Sequence, residues 1–598
     1  MKLHRIAILL ACAGVVTSGI LAVGSSRAER AAAEDPLFAG GALCGAKTAG
    51  RPPLLDRLVL AQAETAPFKP ASQAHAPVAD ESMPPLYTDL GKLHFPITTA
   101  SPRAQAYFDQ GLRLLYGFNH AEAARAFRAA QRLDRLCAMC YWGEALVLGP
   151  NINLPMADDA VAPAYAASVK ASANAAGASA LEQALIKAVA ARYQEYPPAK
   201  RDQLDLAYAD AMRAAAKAFP NDDNVQVLYA ESLMDLSPWD YWDAAGAPKG
   251  RSAEMVDALE RVLERNPLHP GAEHYYIHAM EASGHPDKAL PAARLLAQQI
   301  PGAGHMVHMP SHIYYRVGLY KDALQANVDA IAVDERYFRT QGSDGVYKGG
   351  YYPHNIHFAM VSALMGGDGK EALEAAAKLD KVLTPTMVKA YQGMQSVKAA
   401  PYFSHVQFSS PDTLIALPDP GPDFVLVRAM WHYARATGYA RKGLPAEAQK
   451  EVDALSLIEK DAQLKLLEEH GIPASVVTIA RIVAAGRVAD ARGDLPGAIK
   501  AYREAVALQD ALPYDEPPKW YYPVRQSLGA ALVRAGQLDE AETVFRASFA
   551  KTPSNGWALR GLMEVYRQRG DQAALAATQK RFDTTWLGKQ GGPPLSAL

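Results

Sequence analysis

Histidines are concentrated in one part of this 598-residue chain. Nine of its sixteen histidines lie between His269 and His357, where even spacing would put about two. Imidazole nitrogens suit zinc, copper, nickel and iron, whereas calcium and magnesium prefer oxygen ligands. The concentration of imidazoles therefore points to transition-metal chemistry, with zinc, copper or iron as the candidate ions.

Seven of these histidines keep a fixed spacing from three turn glycines, Gly284, Gly318 and Gly367. A histidine stands ten residues before each glycine, six residues before the first two, and thirteen residues before the last two. Offsets of thirteen, ten and six are i, i+3 and i+7, which share one face of an α-helix. The metal ligands predicted on this face are His274, His278, His305, His308, His312, His354 and His357.

Two pairs on this face, His274 with His278 and His308 with His312, have the spacing H-x3-H. This spacing lets two rings converge on one ion, and helices packed about 8–10 Å apart can bring in ligands from a neighbour. Seven histidines exceed one closed four-ligand site, so an open site, two ions or outer-shell roles are all consistent with the pattern. Two metal-free interpretations stand beside these: polar contacts to a bound peptide, and structural histidines at packing positions.

Three further polar residues fall on the same predicted face. Glu281 lies one turn beyond His278 and is the candidate general base for a metal-bound water. Tyr315 and Arg316 follow His312 and are candidates for holding an anionic or carbonyl group. The alternative for all three is ordinary solvent-facing polarity.

Helix-turn-helix units position these residues. The spacing of Ala123 and Phe127 recurs at Ala541 and Phe545, and turn glycines recur between and after the histidines. This pattern resembles the tetratricopeptide repeat (TPR), whose period is thirty-four residues, the separation of His274 and His308. The resemblance implies an all-α fold, an α-solenoid whose first helix in each repeat lines a concave groove at positions 2, 5, 9 and 12. It places the seven histidines at positions 2, 5 and 9 and Glu281 at position 12.

Two insertions interrupt the repeats. About fifteen extra residues separate His308 from His357 and include the glycine-rich run 342–350, which could be a loop over the groove or a surface excursion. The second insertion, after Leu236, contains Trp239, Tyr241 and Trp242. Packing between repeats is the favoured role for these aromatic residues, with a cover over one end of the groove as the alternative.

A Cys-x-x-Cys pair lies outside the histidine-rich repeats. In the TPR register, Cys137, Cys140 and Glu144 fall at groove positions 2, 5 and 9, and Glu231 falls in the register of Glu144. A local disulfide or inert thiols are the favoured interpretation; thiolate metal ligands and redox catalysis are the alternatives. Tyr141, not a histidine, directly follows Cys140, which disfavours covalent haem attachment.

Two blocks of sequence, 269–278 and 305–318, extend the resemblance beyond the generic repeat. Together with the segment 90–96 they look like a broad group of exported bacterial TPR proteins of unsettled function. The match covers roughly residues 90–372. It supports the fold and the importance of the histidine blocks without implying a reaction.

The N-terminus and the overall composition constrain location and partners. Residues 1–28 have basic residues, an apolar run and small residues, as in an export signal, which predicts a periplasmic or secreted protein; lipid anchoring at Cys12 is less favoured. Residues 29–95 predict a mostly irregular Ala/Pro-rich leader, and residues 96–598 the solenoid, with the histidine-rich repeats at about 269–380. A net charge of −2 without a dense basic run disfavours nucleic acid as a partner.

These patterns predict an exported TPR-like protein that binds a transition metal in its groove. Hydrolysis or oxidation of a small molecule or peptide is the candidate activity, and metal storage or delivery would use the same ligands. The alternative is a periplasmic scaffold that binds a protein or peptide without metal.

Overall fold

A computed structural model describes residues 83–598, apart from 196–199, 244, 342–346 and 391. The predicted export signal and residues 29–82 of the predicted leader lie outside the described residues. Within them the chain is helical, and the β-structure is one isolated bridge between Trp242 and Pro248. Residues 83–95 of the predicted leader contain no helix, and Leu90 and Phe95 are buried against the helices.

The first half of the described chain carries helices α1 to α14. Their bounds are α1 Pro102–Tyr116, α2 His120–Leu133, α3 Ala138–Val147, α4 Asp158–Ala173, α5 Ala180–Ala190, α6 Arg201–Ala218, α7 Asp223–Met234, α8 Ser252–Arg265, α9 Pro270–Met280, α10 Leu290–Gln299, α11 Gly304–His308, α12 Pro310–Arg316, α13 Tyr320–Gln341 and α14 Tyr352–Gly366. A π-helical segment, Tyr347–Tyr351, leads directly into α14.

The second half carries helices α15 to α28. Their bounds are α15 Gly369–Val382, α16 Pro385–Ala390, α17 Gln395–Ala399, α18 Pro401–Phe408, α19 Pro411–Ile415, α20 Val425–Arg441, α21 Pro445–Ile458, α22 Gln463–Glu469, α23 Ser475–Ala491, α24 Leu495–Asp510, α25 Arg525–Arg534, α26 Leu538–Ser548, α27 Gly556–Arg569 and α28 Gln572–Thr585. Most helices pack chiefly against their neighbours in sequence, as in a solenoid.

Aromatic residues pack against glycines of adjacent helices, and this packing gives the helix pairs their TPR-type geometry. A side chain on Gly111 or Gly143 would collide with the ring of Phe127, and Gly529 and Gly561 stand in the same relation to Phe545. The recurring Ala-x3-Phe spacing therefore marks the same packing site at both ends of the array. The fold is an α-solenoid of TPR-type helix pairs, as the sequence predicts.

The C-terminal repeats contact the histidine-bearing ones directly. The Trp557 indole N–H donates to the carbonyl of Leu364, and the backbone N–H of Leu587 donates to the carbonyl of Gly366, at 3.1 and 2.8 Å. Gly318, in the turn between α12 and α13, lies against the backbone of Pro553. These contacts close the solenoid around α9 to α14.

Gly318→Ala is expected to destabilise the protein much more than Gly443→Ala. Both glycines have left-handed backbones, with φ of +80° and +74°, where a side chain costs about 1–2 kcal/mol. A Cβ at Gly318 would in addition lie well under 3.0 Å from the Pro553 carbonyl oxygen, whereas one at Gly443 would meet nothing within 4 Å. Chemical denaturation of both variants measures the difference, and equal losses would show that the contact with Pro553 contributes no stability.

Candidate metal centre

Four short stretches of helix bring the predicted ligands together. Helix α9 carries His274 and His278, α11 carries His305 and His308, α12 carries His312, and α14 carries His354 and His357. Pro310 begins α12 and divides it from α11, because proline cannot donate a backbone hydrogen bond within a helix. All seven side chains are at most 7% exposed. The TPR register predicts that these residues line a groove, and in the structure the surrounding residues shield them from solvent.

Six of the seven histidines form two groups of three. One nitrogen from each of His274, His278 and His305 lies within 4.8 Å of the other two. The second group, with the same property, is His308, His312 and His354. We call these the first and second triads. Each triad could supply three imidazole ligands to one ion.

Two of the three rings of the first triad, those of His274 and His278, are oriented by hydrogen bonds on Nδ1. His274 Nδ1 lies 2.7 Å from the carbonyl oxygen of Tyr116, to which it must donate. His278 Nδ1 lies 2.9 Å from a carboxylate oxygen of Glu281. The acceptors assign the proton to Nδ1, so Nε2 keeps its lone pair. The two Nε2 atoms of His274 and His305 face one another at 3.1 Å.

The second triad repeats this arrangement. His308 Nδ1 lies 2.6 Å from the side-chain oxygen of Asn327, whose amide orientation is fixed because its nitrogen donates to the Ala323 carbonyl. His312 Nδ1 contacts two carboxylates, Glu281 at 2.6 Å and Glu516. The Nε2 atoms of His308 and His312 are only 2.7 Å apart. A hydrogen bond between two imidazoles has this length, and a metal ion that bound both nitrogens at about 2.1 Å would lie beside the line that joins them.

Burial favours the neutral form of these imidazoles, which is the form that can bind a metal ion. Burial, reinforced by neighbouring histidines, lowers the pKa of His274 to about 3 and the pKa values of His278, His305, His308 and His354 well below the usual value. Neutral histidine is the form that binds metal, so no proton needs to be displaced at neutral pH.

Glu281 connects the two triads. Its two oxygens lie 2.9 and 2.6 Å from Nδ1 of His278 and His312, one histidine from each triad, and its side chain is fully buried. Burial and the nearby carboxyl of Glu516 raise the pKa of Glu281 well above its usual value. A cation held by the imidazoles would favour its ionised form. Glu281 is therefore placed to orient ligands, and its predicted role as general base stays a prediction.

Two aromatic residues, Phe118 and Trp239, lie against the first triad. Phe118 stacks on His278 and His305, with ring centres 5.8 and 5.1 Å apart, and Trp239 meets the edge of His278 at 4.8 Å. Both have positive φ, 57° and 65°, a conformation that costs energy for residues other than glycine and often occurs at functional sites. The tryptophan-rich insertion thus covers part of the site. No repeat or spacing in the sequence indicates a role for Phe118.

The glycine-rich insertion also reaches the site. In its described part, the backbone N–H of His305 donates to the Tyr347 hydroxyl at 3.1 Å, and the Tyr351 ring lies 4.6 Å from the His305 ring. Asn153 donates to the Tyr351 hydroxyl at 3.0 Å. A surface excursion is therefore wrong for Tyr347, Gly349, Gly350 and Tyr351, which are buried beside the first triad, whereas Lys348 is exposed. The rest of the run, 342–346, lies outside the described residues.

A loop far along the chain completes the second triad. Glu516, in the loop between α24 and α25, contacts His312, and Tyr521 of the same loop lies 3.0 Å from His357 Nε2 through its hydroxyl. These residues are 204 and 164 positions from their partners. The sequence contained no periodic signal for either contact.

Three of the predicted site residues lie beside the triads. His357 pairs with Tyr521 and belongs to neither triad. Tyr315 is buried between Tyr320 and Phe358, so solvent-facing polarity is wrong for it. Arg316 donates to the backbone carbonyls of Glu281 and Ser283 and holds the end of α9 instead of facing solvent freely.

The Cys-x-x-Cys region is separate from the triads. Cys137 and Cys140 form a buried disulfide, the interpretation favoured by the sequence.

The two acidic residues in the same register have other partners. Glu144 accepts from Arg128 and Gln131 at 2.7 and 2.6 Å. Glu231 is buried, and burial raises its pKa despite the nearby guanidinium of Arg192. Neither glutamate joins a histidine group in the described part of the chain.

Comparisons with known proteins add little beyond the fold. No protein-family model and no curated protein matches the chain. Solved structures similar to it include yeast Tom70, at 12% identity over 80% of this chain and 99% of that chain, with a TM-score of 0.27. The human IFIT1 dimer with m7Gppp-AAAA gives 12% identity, 82% and 90% coverage and a TM-score of 0.27.

A third similar structure, the Cut9-Hcn1 hetero-tetramer of APC/C, gives 11% identity, 81% and 74% coverage and a TM-score of 0.27. At these values the likeness carries no argument about function. The chain's own helix packing defines it as a TPR-type α-solenoid. No helix among the described residues is both long and apolar enough for a bilayer span.

Proposed function

We propose that this protein is an exported TPR-type solenoid that binds transition-metal ions, zinc, copper or iron, through the buried histidines. The observation that carries the proposal is the convergence of buried imidazole nitrogens in each triad: those of His308, His312 and His354 lie within 4.8 Å of one another, and the Nε2 atoms of His308 and His312 are 2.7 Å apart. A metal ion beside these nitrogens would accept their lone pairs. The surrounding carboxylates offset its charge.

The burial of the histidines separates this proposal from the scaffold alternative. A peptide docked in a groove must touch the side chains that recognise it, and these seven are at most 7% exposed. Hydrogen bonds from Nδ1 to a carbonyl, an amide oxygen and carboxylates match the outer shell that orients histidine ligands of metals. The bound ion would supply Lewis acidity or redox chemistry, and the chain would fix the imidazole orientations and restrict access of water.

The proposed export has its own support. Basic residues, an apolar run and small residues begin the chain, and the Cys137–Cys140 disulfide is of a kind that persists in oxidising compartments.

Elemental analysis of the full-length protein, purified without chelators or affinity histidines, tests the proposal. We expect a near-integral amount of a transition metal, and after chelation we expect added Zn(II) or Cu(II) to raise the unfolding temperature. The double variant His274→Ala/His308→Ala should lose both effects. His285→Ala, which changes an exposed turn histidine of the same region, is the matched control and should keep them. A protein that stays metal-free on reconstitution would overturn the proposal and favour a binding scaffold.

A further inference from the structure

We infer that the histidines form two metal sites, one in each triad, joined by Glu281, so that the protein holds a pair of ions. This inference rests on the proposed function and adds stoichiometry and organisation to it. Its first support is that the repeat builds the same site twice. His274 and His278 correspond to His308 and His312 at a separation of one repeat, thirty-four residues.

The third ligand of each triad follows the same rule. His305 and His354 both stand thirteen residues before a turn glycine, and each joins the H-x3-H pair of the preceding repeat. Each triad thus combines the H-x3-H pair of one repeat with the first histidine of the following repeat. The construction stops at the third repeat, because Val361 stands where a third H-x3-H pair would need its second histidine. His357 is left outside for this reason.

Distances support two groups of ligands. Within the second triad the His308 ring centre lies 4.7 Å from that of His312 and 4.8 Å from that of His354. Ring-centre distances between the triads, 5.9 Å from His305 to His308 and 6.0 Å from His278 to His312, equal the longest one within a triad, 6.0 Å from His278 to His305. The nitrogen atoms make the division: the histidine ligand atoms form two sets of three, and the atoms of each set lie within 4.8 Å of one another.

The number of ligands points the same way. A four-coordinate zinc or copper ion has room for four of the six imidazoles, and two nitrogens on one ion lie at most about 4.2 Å apart, given metal–nitrogen bonds of about 2.1 Å. One shared ion would leave at least two of the six buried imidazoles uncoordinated. Two ions use all six and leave each ion at least one position for water or a small oxygen-donor ligand.

Charge balance also favours a pair. Neutral imidazole ligands leave a cation's charge uncompensated. Glu281 contacts one histidine of each triad, and Glu516 contacts His312, so two carboxylates lie directly behind the ligands. Glu281 couples the two sites, because its carboxylate contacts His278 of the first triad and His312 of the second, and a shift of either ring moves it.

Metal counting on single-triad variants tests the inference. The chelator-treated protein is loaded with Zn(II), and bound metal is measured by elemental analysis after removal of excess. We expect two ions in the wild type and one in each of His278→Ala and His354→Ala. His357→Ala, a buried histidine outside both triads, is the matched control and should keep two.

Electron paramagnetic resonance after loading with Cu(II) gives an independent readout. Two ions this close should couple magnetically and lose most of the signal of isolated Cu(II), and each single-triad variant should regain an uncoupled signal. If either alanine variant fails to fold, as shown by far-ultraviolet circular dichroism, His278→Gln and His354→Gln replace it at closer volume.

The outcomes separate the two proposals. A wild-type protein that binds no metal overturns the proposed function itself. A single ion in the wild type, lost in both variants, overturns only the inference of a pair and shows that the triads share one site. Two ions that both survive in either variant would place the metal elsewhere in the chain and also overturn the inference.

Discussion

Glu281→Gln is expected to weaken metal binding by about 10- to 100-fold, the usual cost of losing a partner that orients a histidine ligand. The wild-type carboxylate accepts from Nδ1 of both His278 and His312. Glutamine has one acceptor and one donor, so one of these histidines would face an N–H group. That ring must move the proton to Nε2, the nitrogen needed for the ion, or rotate away.

Glu273→Gln is the matched control for this prediction. Glu273 is buried on the same helix, but its two oxygens have no hydrogen-bond partner among the described residues, and burial raises its pKa to about 8. A carboxyl that is already neutral at pH 7 resembles glutamine in charge and shape. Competition with a chromophoric chelator measures the metal dissociation constants of both variants.

Each result has a distinct meaning. Unchanged affinity in Glu281→Gln would show that the carboxylate does not orient the ligands, and would leave the general-base role as its remaining function. An equal loss in Glu273→Gln would assign the effect to general packing of α9.

The local part of this site could be predicted because repeats make it periodic. The positions of His274, His278, His308 and His312 follow from a helical spacing and a thirty-four-residue period, both properties of short segments. Turn glycines such as Gly318 and Gly367 adopt the left-handed conformation that their positions in the pattern require. The fold and the helical face that carries the seven histidines were therefore predictable. Six of the seven join the triads, and their metal binding stays a prediction.

The closure of the solenoid could not be predicted in the same way. Whether a groove stays open depends on small rotations between repeats that accumulate along the array, and no short segment specifies their sum. Glu516 and Tyr521 reach the histidines only through that accumulated curvature. Phe118 was missed for a different reason, since its contact depends on an unusual backbone conformation at one loop position. The sequence thus indicates where the histidines lie, but not that they are buried or which residues from distant parts of the chain contact them.

Asp334→Asn is expected to make the protein more stable at pH 8 than the wild type, with little difference at pH 4 to 5. Asp334 is buried on α13 beside Gly304, at the start of the helix that carries His305 and His308, and it accepts from Asn355 at 2.8 Å. Burial raises its pKa from 3.8 to about 8. The folded protein therefore keeps a proton on this group that the unfolded chain has already released.

The sign follows from this difference in proton binding. Between pH 4 and 8 the folded state binds more protons, so the free energy of unfolding of the wild type falls by about 1.4 kcal/mol per pH unit from this group. Asparagine cannot ionise and removes that dependence. Urea denaturation of both proteins from pH 4 to 8 measures the widening difference, and Asp329→Asn, at an exposed position of the same helix, is the control. A difference that stays constant with pH would mean that Asp334 is ionised in the folded protein, and that the helix start at Gly304 tolerates a buried negative charge beside the histidines.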